Sequence, residues 1–177
     1  MSSWWSEHPD LEGVARRGRR EMSEEAIAAE RDTELLRKRR RSLADVCFEW
    51  MSRGDLVTIA IGNNQFEGQL TTVVNDLVVI STKTLEVAIN TSLVGFVRCD
   101  QRSVFAGTTG NRTVSSFRAQ LGRFEVDATA VRLVGTSGSF DLIGMIEAST
   151  DDHVVARDTQ GLEWVLPRTE IAYVISQ

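Results

Sequence analysis

Leu85 to Val97 reads LEVAINTSLVGFV, and Leu162 to Val174 reads LEWVLPRTEIAYV. Laid one on the other, Leu85-Glu86 falls on Leu162-Glu163, Val94 on Ile171, and Phe96-Val97 on Tyr173-Val174. Each stretch alternates apolar and polar residues and breaks at a polar tetrad, Asn90-Thr91-Ser92-Leu93 or Pro167-Arg168-Thr169-Glu170, before alternating again. Alternation with a period of two is the pattern of a half-buried strand, so each stretch predicts two strands joined by a tight turn. The return of the pattern predicts one small folding unit written twice.

The same reading extends upstream of each stretch. Leu56–Ile61 is a first strand, Gly62-Asn63-Asn64 a turn, and Phe66–Val73 a second strand with Gly68 inside it. A glycine within a strand marks a sharp bend. Asn75-Asp76 turns into Leu77–Ser81, and Leu85–Ile89 with Leu93–Arg98 completes five strands. Asp100 to Asn111 is a linker rich in turn formers. In the second copy Thr113 caps a short helix carrying Val114, Phe117 and Leu121. Strands follow over Ala130–Val134, Phe140–Ala148 (with Gly144 in the place of Gly68), Val154–Arg157 and the closing pair.

Each unit begins with a helix. Ser42, with Asp45 three residues on, resembles a capping box, and Leu43, Val46, Cys47, Trp50 and Met51 follow the spacing of a core-facing stripe ended by Gly54. Ahead of it lies an arm of different character. Residues 1–22 read as loosely structured, with adjacent Trp4 and Trp5 and a basic knot of Arg16, Arg17, Arg19 and Arg20. A polar helix is predicted from Ser23, with Glu24 and Glu25 in its first turn and Arg37, Lys38, Arg39, Arg40 and Arg41 crowding its end.

Charge divides the chain in the same place. Residues 1–41 hold 10 Lys/Arg against 9 Asp/Glu, and residues 42–177 hold the other 10 against 16, giving +1 and −6 within a net −5. A polyanion would therefore meet the arm first, because the body repels it. No apolar run reaches the roughly 18 residues of a membrane span, and MSSWWSEHPDLEG lacks a signal-peptide pattern. Cys47 and Cys99 lie far apart, without ligand spacing, and read as thiols in a reducing cytoplasm. The expected location is cytoplasmic.

A helix, five strongly bent strands, a glycine in the second strand and a closing apolar, polar-turn, apolar pair together resemble the Sm-like family, the LSm and Hfq proteins. The resemblance covers 42–100 and again 112–177, with 101–111 as linker and 1–41 as arm. It implies a mainly β fold of two tandem five-stranded antiparallel Sm/SH3-like barrels, each preceded by a short helix. In that family the fourth strand of one subunit pairs with the fifth of the next, and the rings so closed bind single-stranded RNA. The resemblance thus implies self-association through barrel edges. The family's turn after the second strand typically offers an Asp, an aromatic and an Asn. Here it is Val74-Asn75-Asp76-Leu77, and of the two closing turns only the second supplies a basic residue, Arg168.

A second pattern resembles PilZ domains, which hold a cyclic dinucleotide: Asn90-Thr91-Ser92-Leu93-Val94-Gly95 fits [D/N]-x-S-x-x-G, and Arg37 to Arg41 contains R-x-x-x-R. No nucleophile-and-base pairing, Gly-rich phosphate loop or Cys cluster is present in the sequence, so no enzyme, metal or cofactor is expected. Asp151, Asp152, His153 and Asp158 read as a polar turn. The residues expected to meet RNA are the two arginine runs and Arg168. Trp4, Trp5 and Trp164 are the expected protein contacts, as in a scaffold module tethered by its arm.

Overall fold

A computed structural model describes residues 10–104, 107 and 114–177 of the chain. They fall into two compact units, residues 1–41 and 42–177.

The first unit is one helix, α1 (Asp10–Arg40). It begins well before the predicted start at Ser23, which lies in mid-helix. The reason is compositional: the segment is dense in Arg, Glu and Ala, all strong helix formers, and Gly18 costs only about 1 kcal/mol in such a context. Glu34 and Lys38 form the expected i,i+4 pair at 2.9 Å. Met22, Ile27, Leu35 and Leu36 remain exposed along it.

The second unit begins with α2 (Leu43–Arg53). Ser42 Oγ accepts from the Asp45 backbone N–H, and the Asp45 carboxylate accepts from the Ser42 N–H, which completes the capping box. Gly54 ends the helix at φ +74°, the left-handed conformation that favours glycine. Then come β1 (Leu56–Ile61), β2 (Asn64–Val74), β3 (Leu77–Ser81), β4 (Glu86–Asn90), a 3₁₀ turn (Thr91–Leu93) and β5 (Phe96–Gln101). The second copy runs α3 (Phe117–Val126), β6 (Ala130–Gly135), β7 (Asp141–Ser149), β8 (His153–Asp158), β9 (Glu163–Pro167), a 3₁₀ turn (Arg168–Glu170) and β10 (Ile171–Ser176). Ser116, rather than Thr113, caps α3. Thr113 and most of the 101–111 linker lie outside the described residues.

The strands do not pair as two separate barrels. They form one open, ten-stranded antiparallel sheet in the order β5-β1-β2-β3-β4-β10-β6-β7-β8-β9. Each half keeps the order fifth-first-second-third-fourth, and the halves join where β4 meets β10. The repeat reaches fine detail. Register slips between Leu70 and Thr72 and again at the matching Ile146 and Ala148. Just before each slip, a Cβ on Gly68 would lie 2.1 Å from the Ser81 carbonyl oxygen, and one on Gly144 2.1 Å from that of Arg157. Only glycine permits so close a strand approach.

Two apolar clusters fill the unit, and each borrows across the junction. Tyr173 and Ile175 of β10 sit in the first cluster with Val57, Ile59, Ile80 and Cys47. Leu77, Val79 and Ala88 of the first half sit in the second, with Leu121, Val131 and Val174. Neither half therefore completes its core alone, as expected for units of about 60 residues.

Candidate functional site

The junction between the halves is a strand pair with defined register: Ile89 opposite Tyr173, Ala88 opposite Val174, Val87 opposite Ile175. All six side chains are buried. Tyr173 meets Phe66 edge to face, with ring centroids 4.8 Å apart. Asn90 closes the end of β4. Its carbonyl Oδ1 accepts from the Ser92 N–H at 3.1 Å, and its Nδ2 points to the Ile171 carbonyl at 3.5 Å.

Beside this junction the two closing turns face each other. They line a cleft of about 200 Å³ with Asp76, Asn90, Ser92, Leu93, Arg168 and Thr169. The Arg168 Nε is buried there and has no hydrogen-bond partner, while its backbone N–H donates to the Asp152 carbonyl at 2.8 Å. A buried, unanswered guanidinium N–H is costly, so an acceptor held in this cleft would relieve it.

The neighbouring Asn75-Asp76 turn is already engaged. Asp76 Oδ1 accepts from the Phe117 N–H and Asn75 Nδ2 donates to the Ser115 carbonyl, each at 2.9 Å. A carboxylate at a helix start answers both an orphan N–H and the helix dipole. The turn that the Sm-like pattern would offer to RNA thus anchors α3 of the second half. The two bonds span 41 and 40 positions, and no local pattern in the sequence reveals such a cap.

The two ends of the sheet are the free edges β5 and β9. They are the repeat counterparts of β10 and β4, the strands that meet at the junction. Their side chains tell the difference: Ala88 is 3% exposed, whereas its counterpart Val165 is 60% exposed. Phe96, counterpart of Tyr173, is 45% exposed, and Trp164 is 39% exposed. Trp164 does face out as a β9 edge residue. Its indole N–H donates to Asp158 Oδ2 at 3.0 Å, and this bond, first among several from the same turn, holds the Asp158 carboxyl below its ordinary range.

Under the β5 edge lies Asp55, wholly buried. Burial alone would push its carboxyl up. Hydrogen bonds from Arg53 (2.9 and 2.6 Å) and from the Ser103 N–H (2.9 Å), with Cys99 Sγ at 3.8 Å, outweigh this and hold it low. The sequence reading assigned Asp55 no role, although the Arg53-Gly54-Asp55 order leaving a helix is the signal that could have found it. Cys47 is buried among apolar side chains, which pushes its thiol up to about 11, and Cys99 is half-buried; neither is in a disulfide.

The predicted site residues are divided between the two units. Arg37, Lys38, Arg39 and Arg40 share the last turn of α1, with Arg41 just beyond, and all are exposed. Arg16, Arg17, Arg19 and Arg20 are exposed about 30 Å away along the same helix. Arg168 belongs to the other unit, as do Asn90 and Ser92 of the PilZ-like pattern. Trp4 and Trp5 lie outside the described residues. The acidic residues around His153 each have their own partner. Asp151 pairs with Arg118 at 2.5 Å, and Asp152 with His153 Nδ1 at 2.6 Å and Thr150 at 3.0 Å. Among the described residues no three His, Cys, Asp or Glu side chains are grouped as a metal requires, and no helix is long and apolar enough to cross a membrane. Compared with known proteins, the chain matches no family model, no curated protein and no solved structure.

Proposed function

We propose that this chain is a non-enzymatic, Sm-like building block: two five-stranded, Sm-like halves of one open sheet that assemble with further copies through the sheet ends, β5 of one chain adding to β9 of the next. One observation carries the reading. The same strand pair already exists once inside the chain, as β4 with β10, and its two separated counterparts are left as edges that expose Phe96, Trp164 and Val165. An unpaired strand edge with exposed apolar side chains is a template for another strand. The internal register assigns the external one: Phe96 opposite Leu166, Val97 opposite Val165, and Arg98 opposite Trp164. The test is light scattering across a concentration series, with a Val97→Cys/Val165→Cys double variant in a Cys99→Ser background. Disulfide-linked multimers are expected on mild oxidation. A strict monomer that forms no such link would overturn the reading.

RNA is the second reading, and the exposed Arg37–Arg41 cluster favours it, with the Arg168 guanidinium in the cleft as a further cation. Binding through these groups is electrostatic, so affinity for single-stranded RNA would fall steeply with salt and would be lost with residues 1–41. Affinity unchanged by that deletion would remove the arm's role and leave the arm, with Trp4 and Trp5, as a tether for another protein. In that case a pull-down lost on changing both tryptophans to alanine would support the scaffold role.

A further inference from the structure

We infer that α2 is the seat for the β9 edge of a second copy, so that chains meet by a helix-on-strand contact as well as by strand pairing. This rests on the assembly reading above and adds a surface to it. The template is again internal. At the junction α3 lies beside β4 of the other half, where Gln120, Arg123, Phe124 and Asp127 face Val79, Glu86 and Ala88 across a cleft of about 190 Å³.

α2 and α3 are the same element. Each is capped by a serine, Ser42 or Ser116, and each cap is followed at the same interval by the strand starting at Leu56 or Ala130. Val46, Glu49, Trp50 and Arg53 therefore stand where Gln120, Arg123, Phe124 and Asp127 stand. On the partner side β9 repeats β4, and β8 repeats β3, so Val155, Glu163 and Val165 replace Val79, Glu86 and Ala88.

Those replacements change the chemistry of the contact. The internal cleft is open and polar, with an Arg123–Asp127 ion pair at 3.3 Å. Between chains, Val46 takes the place of Gln120 and Val165 that of Ala88, so apolar surface meets apolar surface. The ion pair is also reversed: Glu49 and Arg53, which hydrogen-bond each other along α2, take the places of Arg123 and Asp127. Arg53 then faces the partner's counterpart of Glu86, which is Glu163. Val46 and Trp50 are only partly covered within the chain, and Val165 is well exposed. A second copy fits this surface because β9 lies at the far end of the same sheet, and strand pairing with β5 would bring it beside α2.

The experiment places a photo-crosslinking benzoylphenylalanine at Val46 in the full chain and maps the product by mass spectrometry. The expected result is an intermolecular link to the 153–167 segment. A link that is absent or lands elsewhere, while the Val97–Val165 disulfide still forms, would overturn the helix seat and leave edge assembly standing. Loss of both would overturn the two together. Independently, Val46→Gln, which copies the second half, should weaken assembly about tenfold without altering far-UV circular dichroism. An unchanged concentration dependence would count against the seat.

Discussion

At the centre of the sheet, Ala88 and Val174 face each other out of reach of water; at its two ends their counterparts, Val165 and Val97, have a strand on one side only. The backbone geometry is the same in both places, and so is the order of strands. What differs is whether a second edge lies alongside. The comparison teaches that the outer edges are only partly blunted: Arg98 and Asp100 on β5 and Glu163 on β9 carry charge, while Phe96, Trp164 and Val165 stay exposed. Pro167, at the last residue of β9, is the one proline in these four strands.

Substitution at the two regions should separate them sharply. Val174→Asp puts an uncompensated charge into the junction and should cost about 3–5 kcal/mol or unfold the chain, read by urea denaturation. If it cost little, the junction would not be the organising contact. Asp55→Ala should come next. It removes the buried carboxylate that accepts from Arg53 and the Ser103 N–H under the β5 edge and leaves Arg53 only Glu49, at about 2–3 kcal/mol. The same residue sets a pH dependence. Its folded-state carboxyl lies below its ordinary value, so its contribution is complete above that value and is lost as pH falls through the folded one. Asp55→Asn should flatten the acid limb of a stability–pH curve.

Gly68→Ala and Gly144→Ala should each cost about 1–3 kcal/mol, because the added methyl collides with a backbone oxygen in both halves. Similar losses by thermal denaturation would sharpen the claim that the halves are built alike; a large loss in one alone would break it. Val165→Asp should change monomer stability by less than about 0.5 kcal/mol, as expected for an exposed site. It should nevertheless abolish assembly in light scattering.

Much of the second unit was legible in the sequence. Strand positions followed from alternation where one face is buried, as in β7, and from short apolar runs between turn residues where both faces are, as in β1, β3 and β10. The α2 boundaries followed from Ser42, Asp45 and Gly54, which act within a few residues. The start of α1 was missed because nothing local stops a helix between Asp10 and Ser23: arginines and glutamates propagate it, and two isolated glycines, Gly13 and Gly18, are too weak a break. The merging of the strands into one sheet depends on which edge finds which, and no residue within β4 or β10 specifies its partner. The residues of the candidate cleft, Asp76, Asn90, Ser92 and Arg168 among them, were legible one by one but not as a group. Its walls are assembled from turns nearly eighty residues apart, and the Asn75-Asp76 clamp on α3 is a contact of the same long range.

β10 is the tenth strand in chain order yet lies in the middle of the sheet. About 80 residues separate the end of β4 at Asn90 from the start of β10 at Ile171. During ribosomal synthesis, at 5–20 residues per second, the edge of β4 thus waits roughly 4–16 s for the segment that covers it. For that interval the nascent first half displays an uncovered strand to its surroundings. Neighbouring ribosomes on one message would hold such strands within reach of each other, which makes co-translational mispairing between nascent chains a hazard inherent in this topology.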